Sequence, residues 1–101
     1  MSFTTEMLRR VSNKEVHGPD FSVLVPSIHQ VLYRQGERVA VVEIEGGVDA
    51  NGKVNWLLYQ ETLRSWDPPH SHHEMSANQR EEILSAIRKS MDLLDMPHEC
   101  M

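Results

Sequence analysis

Cysteine is nearly absent: Cys100 is the single one in 101 residues. That excludes an internal disulfide framework and points to a reducing compartment. Long apolar runs are missing too, none approaching the roughly 20 residues that span a bilayer. The opening residues, Met1 to Arg10, lack the uninterrupted apolar core of a signal peptide. A soluble cytoplasmic domain is therefore expected. There is no Gly-x-Ser-x-Gly elbow, no His-Glu-x-x-His helix and no phosphate-cradling glycine loop. Cys100 stands one residue from the end, a poor place to preorganise a nucleophile. The chain reads as a protein without enzyme activity or cofactor.

Positive charge is scattered. Only Arg9-Arg10 and Arg88-Lys89 are adjacent, so no basic stripe exists to neutralise a nucleic-acid backbone. Negative charge is concentrated instead. Residues 1–40 hold five basic residues against four acids, a balance of +1, whereas residues 41–101 hold five against eleven, a balance of −6. Such a surface repels nucleic acid and anionic lipid and favours a cationic partner.

What is present, 40% hydrophobic and 25% charged residues, is an ordinary globular balance. Phe21, Val23 and Val25 alternate with Ser22 and Leu24 before Pro26, as a short or edge strand does. Ile28 to Arg34 is a second β-type run, and Gln35-Gly36-Glu37 supplies a tight turn. Arg38 to Glu45 is the clearest strand, with Ala40, Val42 and Ile44 on one face and Val39, Val41, Glu43 and Glu45 on the other. Asn51-Gly52 signals a hairpin, through either a two-residue or a four-residue loop. The chain then returns along a fourth strand, Val54 to Leu63, apolar on both faces.

Trp66-Asp67-Pro68-Pro69 stops that strand, because proline lacks a ladder donor. Ser76 and Gln79 have capping-box spacing, and Ala77 to about Leu94 repeats apolar residues at helical period: Ile83, Leu84, Ile87, Met91, Leu94. Thr4 to Val11 offers a further short helix. The expected fold is a single α+β domain over residues 1–101, an antiparallel meander of about four strands packed against one long C-terminal helix. Within it, residues 1–19 form an N-terminal segment, 20–64 the sheet, 65–75 a Pro/His-rich link and 76–96 the helix.

Glu43 and Glu45 share a strand face with Val39 and Val41, and Glu61 lies in the segment that should pair beside them. An acidic rim around an apolar centre has the composition of a small protein interface. An alternative is metal binding by His70, His72 and His73 with Glu74, completed in principle by His98, Glu99 and Cys100. Another is a structural module that oligomerises through an open edge strand.

The run Gln30 to Arg34, the strand ending Val42 to Glu45, the junction Ser65 to Pro69, Ser76 and the helix with Ile83, Leu84 and Ile87 together resemble small bacterial immunity proteins of polymorphic or contact-dependent growth-inhibition toxins. The resemblance covers about Ser27 to Met96. It implies a cognate toxin as partner, often a basic nuclease domain, neutralised by stoichiometric steric and electrostatic blockade. On that expectation the partner-binding residues are Glu43, Glu45, Tyr59, Glu61, Trp66 and Asp67, with Trp66 or Tyr59 as the desolvated anchor.

Overall fold

The computed structural model describes residues 8–68 and 75–100. Among these residues seven strands, β1 (Arg9–Arg10), β2 (Glu15–His17), β3 (Ser22–Ser27), β4 (Gln30–Gln35), β5 (Arg38–Val48), β6 (Val54–Tyr59) and β7 (His98–Cys100), lie side by side in chain order. One helix, α1 (Ala77–Leu93), connects β6 to β7. The pairings are antiparallel except the last, in which β7 runs parallel to β6. The sheet is therefore mixed and curls as a half-barrel around the helix.

The four-strand meander is thus corrected to seven strands. Strands β1, β2 and β7 are two or three residues long, too short to show a period of two, and neighbouring backbone creates them. Arg9–Arg10 is extended where a helix from Thr4 to Val11 was expected; residues 4–7 of that segment lie outside the described residues. The fourth strand stops at Tyr59 and gives way to a 3-10 turn, Gln60–Thr62. Ile28 sits at the β3–β4 hairpin tip, 63% exposed, with Ser27 pairing Gln30 around it.

Register explains the core. Val16, Val23, Tyr33 and Ala40 form one cross-strand row, Val31 and Val42 the next, and Ile44, Leu58 and Cys100 a third. All three rows face α1, which buries Ile83, Ala86, Ile87, Ser90 and Met91 at three- and four-residue spacing. Each large apolar side chain so buried contributes about 1.5–3 kcal/mol before entropy is subtracted. Ser90 is accommodated because its hydroxyl donates to the Ala86 carbonyl at 2.7 Å.

Local chemistry places the helix. The Ser76 hydroxyl accepts from the Gln79 N–H at 3.1 Å and caps its start. Arg80 donates to the carbonyls of Leu63 (2.7 Å) and Gln60 (3.0 Å), tying the first turn to the chain leaving β6. At the far end Asp95 adopts a left-handed conformation (φ 57°), as a helix C-terminus often requires. Arg10 on edge strand β1 donates to the Leu93 carbonyl (3.1 Å) and to Asp95 (3.3 Å), a cation at the negative pole of the helix. The β5–β6 hairpin closes through Asp49 N–H to the Lys53 carbonyl (2.9 Å), leaving three residues in the loop instead of the expected two or four. The turn itself lies where expected, the Gly52 N–H donating to the Asp49 carbonyl at 3.0 Å with Gly52 at φ 80°.

Trp66 closes one end of the half-barrel. Its ring centroid lies 6.2 Å from that of Tyr33, which stacks on Phe21 at 5.3 Å, and the Arg38 guanidinium sits 5.7 Å from the indole. The Trp66 indole N–H is buried without a hydrogen-bond partner among the described residues, a cost of about 1–3 kcal/mol. Trp66→Ala is expected to lose about 3–5 kcal/mol in denaturant unfolding, and Trp66→Phe far less, because phenylalanine keeps most of the ring and leaves no orphan donor. Burial, with the charges of Asp20 and Glu82, pushes the Tyr33 hydroxyl up to about 12 from its ordinary 10.0. Its folded value exceeds its unfolded one, so this contribution to stability is complete below about pH 10 and is lost as pH rises through 12. Melting temperatures measured from pH 9 to 12 should fall less steeply in Tyr33→Phe than in the parent.

Candidate functional site

The other face of the same strands carries the candidate site. Alternation sends Val39, Val41, Glu43 and Glu45 of β5 away from α1, and register sets Arg34 beside Val39, then Leu24, Leu32 and Val41 in one row. Glu43 pairs with Tyr59, and Glu45 with Leu57, which pairs in turn with Glu99. Leu24, Leu32, Val39, Val41 and Leu57 remain half-buried, because no helix or strand among the described residues covers this face. Apolar groups thus occupy its middle, acids one side, and Arg34 the opposite end.

Glu43, Glu45 and Tyr59 come together, with His29, Gln30 and Ile44, around a shallow depression of about 340 Å³. The Tyr59 hydroxyl donates to the Glu45 carboxylate at 2.5 Å. This bond raises the tyrosine pKa above its ordinary value, with smaller contributions from desolvation and the charge of Glu45. Glu61 is exposed on the 3-10 turn. Asp67 lies farther along β5, where its N–H donates to the Val39 carbonyl at 2.7 Å. The chain from Thr62 to Asp67 runs beside β5, since the Thr62 hydroxyl also accepts from the Glu43 N–H at 2.9 Å.

Trp66 does not join this group: at 1% exposure it belongs to the core, and of the two aromatic anchors only Tyr59 reaches the surface. Sequence patterning missed Leu24, Leu32 and Leu57. Their signal was leucine at positions whose strand neighbours mark the water-facing side. The cluster His70, His72 and His73, with Glu74, lies outside the described residues. On β7, His98 and Cys100 point towards the helix side and Glu99 to the outer face, so the three do not converge. His98 engages both ring nitrogens, one 2.9 Å from the Met96 carbonyl and the other accepting from Arg88 at 3.4 Å. Among the described residues no group of three or more histidine, cysteine or acidic side chains is placed to hold a metal ion. Nor is any described helix long and apolar enough to cross a membrane.

Ultraviolet titration checks the Tyr59–Glu45 bond. Glu45→Gln is expected to let Tyr59 ionise at lower pH than in the parent, since the carboxylate that holds the phenol's proton by a hydrogen bond and opposes the phenolate charge is gone. An unchanged titration curve would mean the pair is not formed in solution.

No curated protein and no solved structure matches the chain. A protein family does, Immunity protein 74, over residues 23–100. That span runs from β3 to the end of β7 and includes the whole acidic face, the helix and the Trp-Asp-Pro-Pro junction. The chain therefore belongs to the Immunity protein 74 family, bacterial immunity proteins of toxin systems.

Proposed function

We propose that the chain neutralises its cognate toxin by stoichiometric binding, without chemistry of its own, and that the outer face of the sheet is its contact surface. Family membership supplies the toxin partner. The observation that carries the choice of face is the half-exposed apolar row Leu24, Leu32 and Val41 set beside Glu43 and Glu45. Interfaces use such a division of labour: the apolar centre is desolvated, while the charged rim speeds and orients encounter. Tyr59 is the anchor, an amphipathic ring of the kind enriched among residues that dominate binding energy. Glu61 and Asp67 extend the acidic rim along the same side of β5.

The acids favour a basic toxin domain, in our proposal a cationic nuclease of a contact-dependent growth-inhibition system, met in the cytoplasm. An inhibitor of net charge −5 seated on a cationic groove removes both access to the groove and its attraction for nucleic acid. The same charge disfavours binding of nucleic acid or anionic membrane by the inhibitor itself.

Titration with the product of the adjacent gene, as the candidate toxin, tests the proposal. A one-to-one complex, loss of toxin activity and protection of cells are expected. Glu43→Gln combined with Glu45→Gln should slow association by about tenfold at low salt and leave the melting temperature nearly unchanged. Absence of a complex, with cells left unprotected, would sink the proposal.

A further inference from the structure

Strand β5 is longer than the strand beside it. Its pairing with β4 ends where Glu43 meets Gln30, and the Ile44 N–H then donates to the His29 carbonyl at 2.9 Å. Beyond that point Glu45, Gly46, Gly47 and Val48 pair only with Leu57, Trp56, Asn55 and Val54 of β6. Backbone groups alternate sides along a strand. Glu43 directs its N–H to Thr62 on the β6 side and Ile44 directs its own towards β4. The N–H and C=O groups of Gly46 and Val48 therefore point into the lane that β4 leaves at His29. Among the described residues no strand fills that lane, and both positions are exposed.

Open edges are commonly blocked by lysine, proline or a covering loop. This one reads Glu45-Gly46-Gly47-Val48, with neither lysine nor proline and, among the described residues, no covering loop, and its two glycines admit another backbone. The depression lined by His29, Gln30, Glu43 and Glu45 lies at the head of the lane. Ile28 (63%), at the β3–β4 tip, and Val48 (70%), on the projecting end of β5, are exposed apolar side chains.

We propose that the lane receives an extended segment of the partner, which adds to β5 as a strand. Its alternate side chains are basic on the side of Glu43 and Glu45, and apolar on the side of Val48 and the Trp56 ring that lies over Gly46. A second copy of this chain is the poorer occupant. Edge-to-edge pairing would bring Glu43, Glu45 and Asp49 of one copy against the same acids of the other, and like charges opposed across strands are destabilising. The inference rests on reading the chain as a toxin binder and specifies how the toxin is held.

Two measurements test it separately from that reading. In the first, the isotope-labelled full chain is titrated with a five-residue peptide alternating lysine and valine. Amide exchange at Gly46 and Val48 is expected to slow by about tenfold, and a peptide with glutamate in place of lysine should have no effect. Unchanged exchange at both amides overturns the proposal. In the second, the toxin domain is added to the parent and to Val48→Pro, which lacks one edge donor. Protection of the Gly46 amide in the parent complex, and affinity lowered by about tenfold in a Val48→Pro chain that keeps its melting temperature, support the edge. A toxin complex in which the Gly46 and Val48 amides exchange freely overturns the edge and leaves the outer-face reading standing. No toxin complex at all removes the toxin reading, and the peptide result then decides the edge alone.

Discussion

Everything in this fold follows from burying one helical stripe in the hollow of one sheet. Ile83, Ala86, Ile87 and Met91 need apolar surface on several strands at once, and a curled sheet offers Val16, Val23, Val31, Val42, Ile44 and Leu58 from several directions. Curling brings the short edges into use. Arg10 reaches the helix C-terminus from β1, and the chain leaving that terminus lays β7 against β6. Neither edge strand has enough residues to stand as a strand without these neighbours.

One consequence is a strict division between the two faces. Side chains alternate along each strand, so with the helix holding one side the opposite set must face outward whatever its chemistry. Some of that set is apolar, notably Leu24, Leu32, Val39 and Val41, and the described fold supplies nothing to cover them. Exposed apolar surface of this kind, bordered by acids, is the observation on which the proposed contact face rests.

A second consequence concerns unequal strand lengths. Strand β5 has eleven residues and β4 six, so the β5–β6 arm projects beyond the rest of the sheet. The acidic depression lies at the step between them. Face and edge thus meet around Glu43 and Glu45, which makes one partner contacting both a compact arrangement.

Much of this was legible in the residues where a signal is local. Alternation in β5, the Asn51-Gly52 turn, and the Ser76 cap with the helix after it depend on neighbours a few positions away, and the structure has them where those patterns put them. So was the shared face of Val39, Val41, Glu43 and Glu45. Other features have no local signature. Trp66 beside two prolines reads as surface, yet it is core because Tyr33 and Arg38, some thirty residues earlier, come to meet it. Ile28 reads as strand but sits at a turn, because Ser27 pairs with Gln30 around it. The helix, the existence of the longer strands and the face that the acids share with the valines follow from the order of the residues. The three short strands, the ends of the longer ones, the burial of Trp66 and the open edge of β5 arise from the assembled fold, since each depends on which distant backbone arrives beside it and which does not.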